Sequence, residues 1–219
     1  MTAISGFAEL MKEGLVPPEK GREFSGDIYR ECRRLISLVD DIIDLSKLDE
    51  GTVSMEKEQV ALLSLAEETL ESLRPTAEKQ KVTLSLEGEG AVIFGVRSLL
   101  NEMLYNLIDN AIKYNKVGGR VDVSIYTRDG RAVLAVKDTG IGIPEADTAR
   151  VFQRFYRVNK SHSKEIGGTG LGLSIVKHGA LFHEAEIEID SRIGEGTEIR
   201  IVFPTVKLNE NDYSVNMTE

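Results

Sequence analysis

The chain has 219 residues, enough for one large domain or two small ones and for a substantial buried core. With 41% hydrophobic and 29% charged residues it has the balance of a soluble globular protein. A formal net charge of −9 argues against a general nucleic-acid or anionic-membrane binder, although a local basic patch stays open. The single cysteine, Cys32, excludes an internal disulfide and any multi-cysteine metal site. No apolar run approaches the ~20 residues that cross a bilayer, and the N-terminus carries no signal-peptide pattern, so the chain reads as soluble and cytoplasmic.

Residues 1–14 read as a short helix, broken by GLVPPEKG. A longer helix from about Arg22 to Leu48 follows. Along it Ile28, Cys32, Leu35, Val39 and Ile42 are spaced 4, 3, 4 and 3 apart, the seam of a helix packing lengthwise on others. An isolated hairpin cannot cover such a stripe, which points to a homodimer; the alternative is a helix lying on its own domain. After LDEGT the pattern changes to mixed helices and strands. Gln59 to Lys79 is helical, with Pro75 bending or interrupting it. KVTLSLEGEG and AVIFG read as strands, and Ser98 to Tyr114 as a helix. VDVSIYTRDGRAVLAVKD is a hairpin turning at Arg128, Asp129 and Gly130. Residues 157–168 form a polar region, a helix opens near Gly170, and EIEIDSRIGEGTEIRIVFP gives a second hairpin. Helices on one face of a mainly antiparallel sheet make an α+β, two-layer sandwich preceded by a helical hairpin. The divisions are 1–50, 51–206 and a polar tail, 207–219.

The helix NEMLYNLIDNAIKYN carries the first chemical signal. Asn106 and Asn110 are four apart on one face, with Lys113 a turn further on. Amide oxygens are hard ligands suited to Mg²⁺, and a lysine there can neutralise phosphate. Alone, the pattern reads more readily as a solvated polar face. In KDTGIGIP, Asp138 ends a strand and Gly140 and Gly142 let the chain turn tightly. A half-buried carboxylate there can accept a hydrogen bond from the exocyclic amine of a base, although D-T-G by itself is only a turn signal. GGTGLGLSIVK combines glycines with the start of a helix, whose unpaired N–H groups and positive dipole end favour an anion.

In order and spacing the series resembles the ATP-binding domain of sensor histidine kinases, over nearly the whole chain. NLIDNAIKY (106–114) is similar to their N box, DTGIGIP (138–144) to the first glycine box and VFQRFYR (151–157) to the F box. GTGLGL (168–173) and GEGT (194–197) resemble the remaining glycine boxes. The resemblance implies the wider fold of gyrase, mismatch-repair and chaperone ATPases, with ATP and Mg²⁺ as ligands. It implies that Asn110 holds Mg²⁺ with Asn106 in support, that Lys113 contacts phosphate and that Tyr114 packs near adenine. Asp138 binds the adenine amine, supported by Thr197. Gly140, Gly142 and Ile143 shape the base pocket, and Gly168, Thr169, Gly170, Leu171 and Gly172 form a lid over the phosphates. Arg157 is the candidate for the γ-phosphate during transfer. Asn106, Lys113 and Arg157 are thus the catalytic candidates. Arg154 is less secure, and Phe152 and Phe155 are expected to anchor the lid in the core.

Where this chain has Asn106, the hydrolytic relatives have a glutamate that activates water. An amide is a poor base, and Glu102, a turn back, lies roughly 6 Å too far along the axis at ~1.5 Å per residue. The site suits an outside nucleophile rather than water. In the family that is a histidine in a motif close to H-E-L-K-T-P-L. MTAISGFAEL resembles the family from just after it, so the acceptor and phosphatase residues are missing here and a weakened dimer is expected. His162, His178 and His183 are poor substitutes. His183-Glu184-Ala185 stands where the family often has His-Gly-Gly, so the local backbone is expected to differ. The expected partner is a response-regulator receiver domain, with membrane contact only through regions outside this chain. The alternatives are a non-catalytic ATP-binding regulator and an anti-sigma-type serine kinase.

Overall fold

Period-3.6 and period-2 segments sort into two layers in the computed structural model, which describes residues 2–50, 56–158 and 169–205. The hairpin comprises α1 (Thr2–Lys12), a 3-10 turn (Pro18–Lys20) and α2 (Gly21–Glu50). Edge-to-face packing of Phe7 on Phe24, 5.4 Å between centroids, ties α1 to α2. Of the expected seam, Ile28, Cys32 and Leu35 are half-buried and Val39 is exposed; the side chain of Ile42 lies outside the described set.

The second unit contains β1 (Glu58–Ala61), α3 (Leu62–Gln80), β2 (Thr83–Gly88), β3 (Val92–Gly95) and α4 (Arg97–Lys113). It continues with β4 (Arg120–Arg128), β5 (Arg131–Asp138), the single turn α5 (Glu145–Thr148), α6 (Gly172–Phe182), β6 (Glu186–Arg192) and β7 (Gly196–Val202). Five strands form one sheet in the order β2-β4-β5-β7-β6; β2 runs parallel to β4 and every other pair is antiparallel. β1 and β3 form a separate antiparallel pair.

Alternation along the strands divides the sheet into two faces. Val121, Val123 and Ile125 of β4, Leu134 and Val136 of β5, and Ile199 and Ile201 of β7 point into one core. Across from them lie Leu65 and Leu73 of α3, Leu104 and Ile108 of α4, and Val176 of α6. Each such fully buried aliphatic side chain contributes about 1.5–3 kcal/mol. The opposite face is more polar: alongside buried Val133 and Val202 it carries the ion pairs Arg128–Glu188, Arg200–Glu188 and Arg131–Glu186 between strands and Arg200–Glu198 within β7.

Several expectations are corrected. Residues 59–61 are strand rather than helix, because Gln59 to Ala61 pair with Val92 to Phe94 before α3 begins. Pro75 does not interrupt α3; it removes one backbone donor near the end, and the helix continues to Gln80. The β4–β5 turn is as read, with positive φ at Asp129 and Gly130. Glu184 takes φ +54, so the chain keeps the glycine-like conformation at a cost of about 1–2 kcal/mol instead of finding another. The tail 207–219 lies outside the described residues.

His183, just past α6, locks the start of α4. Its Nε2 accepts the Val96 N–H at 3.0 Å and its Nδ1 donates to Gly179 O at 2.7 Å. The ring is 5% exposed, and burial pushes its pKa below the ordinary 6.5. The unfolded chain therefore takes up a proton as pH falls through about 6.5 while the folded chain does not. Stability should be full above that pH and fall below it, by up to about 1.4 kcal/mol per pH unit. Urea unfolding from pH 7.5 to 5 should show this slope, and His183→Gln, which keeps an acceptor and a donor, should flatten it.

Candidate functional site

α4 is amphipathic: Leu100, Met103, Leu104, Leu107, Ile108 and Ala111 are buried, which leaves Asn106, Asp109, Asn110 and Lys113 on the opposite edge. Asn106 Nδ2 donates to Glu102 O at 2.9 Å, which fixes the amide with Oδ1 facing α6. A Cβ built on Gly172 would lie 2.6 Å from that oxygen and 3.5 Å from Asn110 Nδ2. The Asn110 side chain makes no hydrogen bond among the described residues, so its amide is available to a ligand. Lys113 Nζ sits 2.5 Å from Asp109 Oδ2, an i,i+4 pair that the motif reading overlooked. Tyr114 ends the helix with φ −98 and ψ 13, and its carbonyl accepts the Ile141 N–H at 3.1 Å.

β5, β7 and β6 bring Asp138, Thr197 and Ser191 to the same end of the sheet, on the face toward the helices. Asp138 Oδ1 accepts N–H groups from Gly140 at 2.7 Å and Thr197 at 3.3 Å. Burial raises the Asp138 pKa, and the two backbone donors oppose that rise. Its second oxygen takes no hydrogen bond among the described residues. Thr197 thus supports Asp138 through its backbone, while its hydroxyl lies 2.7 Å from Ser191 Oγ. Ser191 Oγ also accepts the Ile143 N–H at 2.8 Å and donates to Gly196 O at 3.1 Å. Gly142, at φ +70, is required by close approach: a Cβ there would lie 2.0 Å from Arg192 O.

The 151–157 segment meets the glycine-rich stretch directly. Phe155 N–H donates to Gly170 O at 2.9 Å, and the Arg157 stem lies 3.4 Å from a Cβ position at Gly170. Phe152 packs against the core as expected. Phe155 does not: it is 57% exposed with φ +63, because its backbone rather than its ring makes the contact. Arg154 Nη2 lies 3.2 Å from His178 Nε2, and Tyr156 OH donates to Asp147 at 2.6 Å. Thr169 Oγ1 accepts the Leu171 N–H at 3.3 Å, and α6 opens at Gly172 without a side-chain cap. Gly168 and His162 lie outside the described residues. The structure therefore brings the Asn106 and Asn110 amides to the uncapped start of α6, and the end of α4 to the turn that follows the half-buried Asp138.

Comparison with known proteins fits this arrangement. Residues 95–207 match the model of the histidine kinase-, DNA gyrase B-, and HSP90-like ATPases. Residues 1–51 match the model of the His Kinase A (phospho-acceptor) domain. The chain belongs to the histidine kinase family. Among curated relatives, the sensor-like histidine kinase SenX3 of Mycolicibacterium smegmatis is 34% identical over 92% of this chain and 53% of its own length. Among solved structures, the mycobacterial sensor histidine kinase MprB is 33% identical, with TM-score 0.60, over 68% of this chain and 97% of the other. The histidine kinase ThkA, solved in complex with the response regulator protein TrrA, is 22% identical with TM-score 0.73, over 93% of this chain and 57% of the other. The last likeness shows the fold alone. This histidine kinase chain spans between 21% and 53% of the length of the curated relatives it matches. No described helix is long and apolar enough to cross a membrane.

Ser191 and Asp109 escaped the motif reading because neither is a signature residue; only their strand and helix registers place them in the site. Ser191→Ala leaves the Ile143 N–H and the Thr197 hydroxyl without their partner. It should lower stability by about 1–3 kcal/mol in urea unfolding and speed amide exchange at Ile143. Unchanged exchange there would show that the latch is not needed.

Proposed function

We propose that the chain is the ATP-dependent kinase core of a two-component sensor, divided into a helical hairpin over 1–50, an ATP-binding domain over 51–206 and a polar tail over 207–219. The observation that carries the reading is the placement of Asn106 and Asn110 against the start of α6, in the same domain as Asp138 with one oxygen left over. Asp138 accepts the adenine amine, with Gly140, Gly142 and Ile143 shaping the pocket and Tyr114 beside the base. Thr197 supports Asp138 through its N–H. Lys113 and the N–H groups at Gly172 face the phosphates, with Gly168, Thr169, Gly170 and Leu171 as the lid. Arg157 supports the γ-phosphate.

Among the described residues no cluster of His, Cys, Asp and Glu could hold a metal. The donor set instead suits Mg²⁺, which the Asn110 amide oxygen would hold with Asn106 in support and which would neutralise phosphate charge when bound. In the transfer step the bond between the γ-phosphorus and the β,γ-bridging oxygen breaks and an N–P bond to a histidine forms, releasing ADP. Passage to an aspartate of a receiver domain follows; the ThkA structure with TrrA is consistent with that partner. The half-exposed seam of α2 supports a homodimer, and the match to a phospho-acceptor domain speaks against a serine kinase.

Residues 1–51 match the phospho-acceptor model yet contain no histidine. The 219-residue chain should therefore gain no acid-labile phosphate from labelled ATP until a separate acceptor helix is added. Self-labelling of this chain would refute that.

Asp138→Asn should lower ATP affinity about ten-fold or more, as expected for loss of a charged acceptor. Because Asp138 is disfavoured by burial, the same variant should melt no lower than wild type without nucleotide. Calorimetric titration and thermal unfolding test both halves; unchanged affinity would remove the assigned pocket.

A further inference from the structure

Lys113 is paired with a carboxylate one turn back on its own helix. With 100° between successive residues, Lys113 lies about 40° around α4 from Asp109 and about 60° from Asn110. It is paired with Asp109 at 2.5 Å; the Asp109 side chain is 14% exposed and that of Lys113 34%. The more exposed partner is thus the lysine, whose flexible stem lets the ammonium move while the carboxylate stays. Tyr105, a turn before Asp109, feels both charges, Asp109 raising its pKa and Lys113 lowering it after the larger effect of burial.

We propose that Asp109 is a positioning residue that holds Lys113 until nucleotide arrives, so that binding exchanges a carboxylate for a phosphate as the lysine's partner. This rests on the site reading above. The exchange makes the triphosphate compete with Asp109, and it neutralises Lys113 when no nucleotide is bound, so stray anions gain little there. Adenosine, which has no phosphate, does not trigger it. Asp109 therefore affects recognition of phosphate and not of the base.

Calorimetric titration of ATP with Mg²⁺, and of adenosine alone, into wild type, Asp109→Asn, Asp109→Glu, Lys113→Met and the double variant Asp109→Asn/Lys113→Met tests this. Asp109→Asn should bind ATP about five-fold more tightly, the scale of one partly exposed ion pair, with adenosine unchanged. Asp109→Glu, which keeps the charge, should bind ATP like wild type and serves as the folding control. In the Lys113→Met background the Asp109→Asn gain should fall below about two-fold. Weaker ATP binding by Asp109→Asn would show that Asp109 instead steers Lys113 onto phosphate. Equal shifts for ATP and adenosine would mean a merely structural role, and an undiminished gain without Lys113 would mean simple repulsion; each overturns the exchange. Failure of the site reading itself would show separately, as adenosine affinity insensitive to Asp138→Asn.

Discussion

Helix α6 lies against α4 at a distance that glycine makes possible: a Cβ at Gly172 would sit 2.6 Å from Asn106 Oδ1, and one at Gly179 2.4 Å from Met103 Sδ. The two glycines are seven residues apart, hence on one face of α6 two turns from each other. Between them Ile175 and Val176 are buried. Met103 is 1% exposed and cannot swing aside, so packing fixes the approach at Gly179, while at Gly172 the Asn106 amide oxygen leaves no room for a side chain. This brings the open start of α6 to the amide pair on α4. A side chain at Gly172 would drive the two apart, and the proposed phosphate site would lose one of its walls.

The two ends of the candidate site are prepared differently. At the lysine end the charges satisfy each other through the Asp109–Lys113 pair. At the carboxylate end Asp138 is bonded through one oxygen only, and burial raises its pKa. An incompletely paired, half-buried carboxylate is unfavourable for the fold alone and is characteristic of places where something binds. Its geometry is nevertheless tightly held. Gly140 and Thr197 donate to it, Gly142 lets the next turn lie on Arg192, and Ser191 fastens Ile143 and Thr197 to each other. The surrounding turn is rigid although the carboxylate is left partly unpaired.

Much of this was legible in the sequence because the alternation of the strands and the amphipathic period of α4 are strong. The β4–β5 and β6–β7 hairpins and α4 itself stand where those patterns place them. β1 was hidden because four residues with a burial pattern of one inward side chain resemble the start of the helix that follows. Phe155 was misjudged because an aromatic residue in a motif suggests burial, whereas its backbone N–H makes the link to Gly170. Ser191 and Asp109 carry no signature of their own. Ser191 becomes visible only once β6 is in register with β7, opposite Thr197.

On the proposed kinase reading the same geometry bears on where the phosphoryl group goes. Asn106 has its Nδ2 committed to Glu102 O, so it presents an amide oxygen, which accepts a hydrogen bond but does not take a proton at neutral pH. A residue of that kind does not activate water, and a nucleophile reacting here must already carry a free lone pair, as a neutral imidazole does. Of the chain's own imidazoles, His183 is eliminated by its surroundings. It is buried, Nε2 accepts from Val96 and Nδ1 donates to Gly179, so neither nitrogen can attack without unmaking the junction of α4 and α6. His178 lies against Arg154, six residues into α6 from Gly172, or roughly 9 Å along the axis at ~1.5 Å per residue. On that reading neither described imidazole is placed to take the phosphoryl group, His162 lying outside the described residues, so the acceptor would be docked onto the site and the surface that positions it would set the choice of substrate.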